Sequence, residues 1–370
     1  MSATDTRTYK IANLPGDGIG AEVAQPAVAI VNAALSKAGT ESKIDFIDLE
    51  AGAALYQRTG ESLPQEVLDA CESADAILLG AMGLPSIRYP DGREIAPQLD
   101  LRERFGLYAG VRPVKSFPGM KSPLSDPRAR DIDFILIRES TEGLFASRGK
   151  VEMSGSQEAG DEKARDFLQV SRKVSQRLFE FSFALGRQRK KDGHPGVVTC
   201  VDKANVLGSM AYFRKIFYET HKAYTDVEAN HAYVDATALN MIKCPWAFDV
   251  LVTENMYGDI LSDAGAALMG GMGMAPSADI GDHNAVFQPC HGSAPDIAGE
   301  GRANPVAMIL SAGMMLEWLE NEKGAGGFAH AGKVISEAVE NAFANSKLHP
   351  CEFGGTDGTR EISEAVLREV

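Results

Sequence analysis

The sequence has no closely spaced cysteine pair, no long apolar run and no surplus of basic residues. Its five cysteines are scattered along the chain, which indicates free thiols in a reducing compartment rather than a disulfide framework. The longest apolar stretch, 264–276, is short and rich in glycine, so we expect no membrane-spanning segment. The first ten residues lack the apolar core of a secretory signal. These absences together predict a cytoplasmic protein.

The charge balance excludes two further classes of partner. The chain carries 51 acidic and 37 basic residues, which gives a net charge of −14. Because a surface this acidic repels nucleic acid and anionic lipid, we expect neither a nucleic-acid nor a membrane partner. A small anionic substrate would have to be held by a local cluster of basic side chains.

Strand-like and helix-like segments alternate along the 370 residues, and this pattern predicts an α/β fold. The expected strands cover 9–14, 43–49, 75–80, 133–137, 196–201 and 248–253, and the expected helices include 21–38 and 63–71. Apolar residues at spacings of three and four predict one long helix that carries Phe167, Val170, Val174, Leu178 and Phe181 on its buried face. Residues 153–162 are rich in Gly, Ser and Glu and predict an exposed loop or arm.

A glycine-rich turn joins the first expected strand to the first helix. Residues 14–20 read LPGDGIG, which is G-x-G-x-G and not the G-x-G-x-x-G of dinucleotide-binding folds. No acidic residue ends a second strand about twenty residues on, since Asp45 and Asp48 lie further away. The turn fits two interpretations equally: a cofactor-binding loop, or a tight turn that lets the helix begin close to the strand.

Three arginines and one lysine are candidates for substrate chemistry. Arg102 and Arg112 lie in the segment 101–113, and Arg138 ends an apolar strand, where a buried cation needs a partner. Guanidinium groups suit substrate carboxylates, although structural ion pairs are an equal alternative. Lys203 follows a buried strand and is a candidate base, with a surface lysine as the alternative.

Three aspartates predict a site for a hard metal ion. Asp259 and Asp263 are four residues apart and share one helix face, where two like charges are unfavourable unless a cation lies between them. Asp235 follows another strand and can supply a third ligand. A set made only of carboxylates suits Mg²⁺ or Mn²⁺ rather than zinc. The alternative is that the acids stabilise a helix N-terminus.

A loop of small residues, HGSAPDIAG at 291–299, can approach a ligand closely through its backbone. Asp296 could accept hydrogen bonds from a ribose diol, and its charge would repel a 2′-phosphate, which favours NAD over NADP. The alternative is a surface turn.

In combination these segments resemble the β-decarboxylating dehydrogenase family, which includes isopropylmalate, isocitrate, homoisocitrate and tartrate/malate dehydrogenases. The resemblance covers nearly the whole chain, and its most specific part is the order YVDA, TENMYGDILSD and HGSAPDIAG at 233–236, 253–263 and 291–299. It implies an isopropylmalate/isocitrate dehydrogenase-like fold with mixed sheet and flanking helices, which is not a Rossmann fold. The implied domains are 1–107 with 270–370 on the cofactor side, and 108–269 with the dimer interface and arm.

The resemblance also implies a role for each candidate residue. Arg102, Arg112 and Arg138 would bind the substrate carboxylates, with Gln98 and Leu99 against the variable substituent. Lys203 would be the base, and Asp235, Asp259 and Asp263 would hold Mg²⁺ or Mn²⁺, with Lys203 and Asp235 supplied by the second subunit of a homodimer with shared active sites. NAD would bind to His291, Gly292, Ser293, Ala294, Pro295, Asp296, Ile297, Asn304 and Ile19.

Two positions depart from the family. Phe145 stands where the family has a Tyr that protonates the enol, so a slow or altered enzyme is expected. Gln98 replaces an aliphatic residue of the isopropylmalate enzymes, which favours a small or polar substituent as in malate or tartrate. We therefore expect NAD- and metal-dependent oxidation and decarboxylation of a 2-hydroxy diacid. The alternatives are a non-catalytic ligand-binding subunit of the same fold and a metal-free Rossmann hydroxy-acid dehydrogenase.

Overall fold

The computed structural model describes residues 7–370, and the expectation of no secretory signal rests partly on residues outside this range. The strands are β1 Thr8–Gly16, β2 Lys43–Asp48, β3 Ala76–Ala81, β4 Ala109–Lys115, β5 Asp133–Glu139, β6 Glu152–Ser154, β7 Lys163–Arg165, β8 Val197–Asp202, β9 Glu228–Tyr233, β10 Val250–Thr253, β11 Pro276–Ile280 and β12 Ala285–Pro289. The helices are α1 Gly20–Ala38, α2 Ala53–Thr59, α3 Gln65–Ser73, α4 Pro97–Phe105, α5 Arg172–Lys191, α6 Gly208–His221, α7 Val234–Lys243, α8 Asn255–Met269, α9 Val306–Lys323, α10 Phe328–Ser346 and α11 Thr359–Glu369.

The chain forms two compact units. The first contains the residues up to Leu107, Arg112–Asp131 and Ala266–Val370, and the second contains Tyr108–Val111 and Ile132–Gly265. The expected division into 1–107 with 270–370 and 108–269 remains a prediction. No helix in the described part of the chain is long and apolar enough to cross a membrane.

The first unit is built on a mixed sheet. Strands β2, β1, β3, β12 and β11 lie side by side in that order, with β11 and β12 antiparallel and the other pairs parallel. Every residue of β3, β11 and β12 is buried, as expected for strands covered by helices. Helices α9 and α10 approach closely at Gly332, where an added Cβ would lie 2.7 Å from the carbonyl oxygen of Gly313.

The second unit has a parallel sheet in the order β5, β10, β8, β9. Helices α5 and α6 pack on it through an aromatic cluster, in which the ring centres of Phe179 and Phe213 are 4.6 Å apart and those of Phe183 and Phe217 are 4.9 Å apart. The short strands β6 and β7 form an exposed antiparallel hairpin around the segment expected to be an arm.

The predicted α/β class with mixed sheet and flanking helices is confirmed, and the Rossmann alternative is wrong. The predicted start of the long helix is also wrong. Helix α5 begins at Arg172, so Phe167 and Val170 precede it, and Phe167 is 40% exposed. The hydroxyl of Ser171 accepts a hydrogen bond from the backbone N–H of Val174 and caps the helix there.

Candidate active site

Two of the predicted anion-binding arginines share one buried carboxylate in the first unit. The Nε of Arg102 on α4 donates to Asp279 Oδ2 at 2.9 Å, and Nη2 of Arg112 on β4 donates to Asp279 Oδ1 at 3.0 Å. Gln288 also donates to Asp279, at 2.7 Å. Asp279 is fully buried, and both arginines are less than a tenth exposed. A single carboxylate therefore fixes the direction of both guanidinium groups.

The third arginine, Arg138, ends β5 in the second unit and is held by the first turn of α8. Its Nε and Nη2 donate to the side-chain oxygen of Asn255 at 2.9 and 2.7 Å, and its Nη1 is paired with Asp259. Helix α8 can approach because residue 258 is glycine, where a Cβ would lie 2.6 Å from Arg138 Cγ. The expected counter-ion for an arginine at the end of a buried strand is thus present.

Lys203 and Asp235 form an ion pair in the second unit, with 2.8 Å between Lys203 Nζ and Asp235 Oδ2. Lys203 follows β8, and Asp235 is the second residue of α7. The lysine side chain is 25% exposed and the aspartate side chain 67% exposed. The hydrogen bond from Lys203 lowers the pKa of Asp235, so this carboxyl stays ionised and available to a cation.

The three predicted metal ligands are not gathered within one chain. Asp259 and Asp263 lie four residues apart on α8, as expected, and each reaches the surface. Within residues 7–370, no group of three His, Cys, Asp or Glu side chains is placed to hold a metal ion. The donor chemistry still fits a hard divalent cation, since the set contains only carboxylates. One chain by itself offers Asp259 and Asp263 as a pair.

Five of the predicted cofactor residues line one cavity of about 260 Å³ in the first unit: Ile19, His291, Ala294, Ile297 and Asn304. The Nε2 of His291 is buried and has no partner in the described part of the chain, so it is free to bond a ligand. Burial lowers the pKa of His291 and keeps its ring neutral at physiological pH. The loop that carries His291 and Ala294 forms one wall of this cavity, and its backbone has a positive φ of 35° at Ala294.

The other residues predicted to bind the cofactor are placed differently. Ser293 is buried, and its hydroxyl donates to the carbonyl oxygen of Gly83. Its own carbonyl accepts a 2.8 Å hydrogen bond from the N–H of Ile19, which ties the loop to the glycine-rich turn. Gly292, Pro295 and Asp296 are exposed.

The predicted specificity positions, Gln98 and Leu99, lie in the first turn of α4 and are partly exposed. The amide oxygen of Gln98 is buried and accepts no hydrogen bond from residues 7–370. A buried oxygen without a donor is unfavourable, because it has lost its hydrogen bonds to water. A ligand that supplies a donor would satisfy it.

The sequence interpretation missed Asp279 and Asn255, which hold the three arginines. Asp279 had a detectable signal, because a carboxylate within the otherwise apolar segment Pro276–Ile280 requires buried donors. The signal for Asn255 was weaker: this residue begins the helix that carries Asp259.

Known proteins are similar to this chain over nearly its whole length. The family model for isocitrate/isopropylmalate dehydrogenase matches residues 10–366. A 3-isopropylmalate/3-methylmalate dehydrogenase of Methanocaldococcus jannaschii is 40% identical over 366 residues, which cover 98% of this chain and 99% of the relative. A homoisocitrate dehydrogenase of the same organism is 39% identical over 98% of this chain and 97% of its own length. Relatives with different substrates are thus equally similar.

Solved structures give the same result. The crystal structure of an isocitrate dehydrogenase from Methylococcus capsulatus superposes with a TM-score of 0.82 and 33% identity, and the match covers 98% of this chain and 99% of that one. A β-decarboxylating dehydrogenase from Thermococcus kodakarensis matches with a TM-score of 0.77 and 32% identity, over 98% and 96% of the two chains. The chain therefore belongs to the isocitrate/isopropylmalate dehydrogenase family of β-decarboxylating dehydrogenases.

Proposed function

We propose that this protein uses NAD and a divalent metal ion to oxidise and decarboxylate a malate-type 2-hydroxy diacid with a small or polar substituent, as in malate or tartrate. The unpartnered amide oxygen of Gln98 is the observation that carries the choice of substituent. An aliphatic substituent would bury that oxygen without a donor, whereas a hydroxyl group or water beside a small substituent would donate to it.

The arginines have the chemistry to bind the two carboxylates of such a substrate. Asp279 holds Arg102 and Arg112, and Asn255 holds Arg138, so each guanidinium group is fixed before the substrate arrives. Charge-assisted hydrogen bonds from preorganised donors lose little entropy on binding. Lys203 takes the proton of the substrate hydroxyl, directly or through water, as hydride leaves for NAD.

Asp259, Asp263 and Asp235 of the partner subunit would hold Mg²⁺ or Mn²⁺. When bound, the ion supplies an electrophile that polarises the substrate oxygen. Arg138 is ion-paired with Asp259, so within one chain this arginine lies next to the two aspartates of α8.

The preference for NAD rests on the loop after β12. The cavity that contains Ile19, His291 and Asn304 is large enough for part of the cofactor, and His291 offers an unpaired ring nitrogen. Asp296 is exposed next to Ile297, which lines this cavity. Its carboxylate would accept hydrogen bonds from the ribose of NAD and repel the 2′-phosphate of NADP.

A homodimer with shared active sites would complete the acidic site. Large apolar side chains on α7 and α8 are exposed, with Leu239 at 57%, Ile242 at 68% and Ile260 at 59%. Exposed apolar groups of this size favour a surface covered by a partner. Val151 and Met153, beside and in β6, are also exposed, at 52% and 57%.

We also propose that the protein works in the cytoplasm. All five cysteines, Cys71, Cys200, Cys244, Cys290 and Cys351, are free thiols. Free thiols throughout a chain of this size are typical of a reducing compartment.

A substrate screen tests the proposed function. The purified protein is incubated with NAD and Mn²⁺, and NADH formation is followed with malate, tartrate, isopropylmalate, isocitrate and homoisocitrate in separate reactions. We expect malate or tartrate to give the highest kcat/KM. The proposal is overturned if isopropylmalate, isocitrate or homoisocitrate is the best substrate, or if none of the five yields NADH.

A further inference from the structure

A second cavity, of about 630 Å³, lies in the first unit at the carboxyl ends of β1 and β2. Pockets of this volume hold small organic ligands, and the carboxyl ends of parallel strands are where open α/β sheets bind them. Its walls come from β1 and its turn, from α1, from the end of β2 and from α2. Among described residues, it shares no lining residue with the cavity of His291. The dehydrogenase activity proposed above does not use it.

A buried amide hydrogen-bonded to an exposed carboxylate forms one side of this cavity. Asn13 on β1 is only 6% exposed, and its Nδ2 donates to Asp48 Oδ1 at 2.7 Å. The amide oxygen of Asn13 has no hydrogen-bond partner in the described range 7–370. A buried acceptor left without a donor beside a cavity indicates a ligand that supplies one. The hydrogen bond from Asn13 also fixes the orientation of the Asp48 carboxylate.

Asp48 has a particular place in the fold. It is the last residue of β2, and β2 follows the helix that starts at the glycine-rich turn. In dinucleotide-binding folds an acidic residue at this place accepts hydrogen bonds from a ribose. The sequence interpretation rejected this role because Asp48 lies too far along the chain, but the structure places it at the end of the strand.

The same turn argues against a phosphate on the ligand. Three of its backbone N–H groups are already used inside the protein: Asp17 N donates to Ala81 O at 2.7 Å, Ile19 N to Ser293 O at 2.8 Å and Gly20 N to Asp17 O at 3.0 Å. A phosphate-binding turn instead needs N–H groups that point at the anion. Glu50 and Arg58 on the cavity wall form an ion pair, which adds no net positive charge there to attract a phosphate.

Apart from Gln25 and Arg58, the remaining wall is apolar and suits a planar base. Val28 on α1, Leu49 after β2 and Leu55 on α2 line it, together with small alanine side chains that leave room. Apolar walls with a few fixed polar groups are typical of small-molecule sites.

We propose that this cavity binds an unphosphorylated nucleoside, with the ribose hydroxyls donating to Asp48 and to the amide oxygen of Asn13 and the base lying against Val28, Leu49 and Leu55. This cavity is distinct from that of His291, and the glycine-rich turn contributes Gly16 to the one and Ile19 to the other.

Isothermal titration of the full-length protein with adenosine tests the proposal. We expect adenosine to bind, AMP to bind more weakly, and Asp48→Asn to weaken adenosine binding by about ten- to a hundred-fold, as for loss of a charge-assisted hydrogen bond. The matched control is Asp45→Asn, an exposed carboxylate on the same strand outside the cavity, which leaves adenosine affinity unchanged. A second variant, Ala54→Trp, fills the cavity from its exposed rim and also abolishes binding.

Adenosine is also a fragment of NAD, so Asp296→Lys is titrated in parallel. Loss of adenosine binding in Asp296→Lys with no effect of Asp48→Asn would overturn the proposal, because the ligand would then occupy the loop of His291. Absence of binding at millimolar adenosine would overturn it as well. An unchanged urea midpoint of Asp48→Asn shows that the variant is folded, and it keeps this test independent of the proposed dehydrogenase activity.

Discussion

The guanidinium carbon of Arg138 lies 5.2 Å from the centre of the Phe145 ring, within the range of a cation–π contact. Phe145 lies in the short 3-10 helix Leu144–Ser147, which follows β5. The residue that replaces a proton-donating tyrosine thus lies against an arginine proposed to bind a substrate carboxylate.

From the position of the Phe145 ring we predict the effect of replacing Phe145 with tyrosine, the residue that the family has there. In Phe145→Tyr the added oxygen lies at the ring edge, so the stacking on Arg138 is kept and a proton donor is gained. Since a positioned general acid is typically worth about 10²–10⁴-fold, we expect the steps after oxidation to accelerate by at least tenfold. Single-turnover experiments that follow NADH and CO₂ separately measure this. Wild-type release of both products at one fast rate, with no gain in Phe145→Tyr, would contradict it.

Removal of the metal ion should abolish turnover. The carboxylates of Asp259 and Asp263 share one face of α8, and Asp235 is the proposed third ligand; carboxylate oxygens suit a hard cation. Exhaustive treatment with EDTA is expected to reduce NADH formation to background, and Mn²⁺ is expected to restore it. Full activity after chelation would show that these aspartates do not hold a catalytic ion.

The choice between the two nicotinamide cofactors should depend on Asp296. We expect the wild-type protein to prefer NAD strongly, and Asp296→Lys to move the ratio of kcat/KM toward NADP, because a lysine would attract the 2′-phosphate. Glu300→Lys, a neighbouring exposed acid, is the control for net charge and should leave the ratio nearly unchanged. An unchanged ratio in Asp296→Lys would remove this residue from the cofactor site.

Asp279 should be important for stability as well as for substrate binding. Asp279→Ala removes the buried carboxylate that pairs with Arg102 and Arg112, and breaking a buried ion pair costs roughly 3–5 kcal/mol. We expect a clear drop in the urea midpoint and a higher KM. The control is Asp126→Ala, which breaks an exposed pair with Arg128 and should change neither quantity measurably. Equal effects in the two variants would argue against the role of Asp279.

Glu139 should make stability depend on pH. Burial raises the pKa of this carboxyl from 4.5 to about 7, although three hydrogen bonds from Thr141 and Glu142 oppose the shift. The folded protein therefore binds a proton that the unfolded chain has lost between these two values, so the contribution of Glu139 to stability falls as the pH rises through this window. The difference in unfolding free energy between Glu139→Gln and the wild type should move in favour of the variant by about 3 kcal/mol from pH 4 to pH 8. A difference independent of pH would show that Glu139 has an ordinary pKa.

Sequence patterns predicted the parts of this fold that local chemistry determines. Strands such as β5 and β10 follow from apolar runs between polar boundaries, and Asp259 and Asp263 share a face because helical spacing requires it. The start of α5 was predicted too early, because apolar residues before Ser171 continue the helical spacing. The helix begins only after Ser171, whose side chain caps its N-terminus.

Such patterns could not predict hydrogen bonds between residues that are far apart in the sequence. Arg102 and Asp279 are 177 residues apart in sequence, and no periodicity connects them. The unpaired oxygens of Gln98 and Asn13 are also invisible in a sequence, because they depend on which donors the fold brings near. The resemblance predicts that Arg102 binds a substrate carboxylate, and the structure adds that Asp279 holds this arginine in place.

The effect of Gln98 on substrate preference tests the central claim most directly. The measurement is the ratio of kcat/KM for tartrate or malate to that for isopropylmalate, in the wild type and in Gln98→Leu. We predict that the wild type favours the smaller, more polar substrate, and that the leucine variant shifts the ratio at least tenfold toward isopropylmalate, since a buried unpaired amide costs roughly 1–3 kcal/mol. A wild-type preference for isopropylmalate, or a ratio that Gln98→Leu leaves unchanged, would contradict the account.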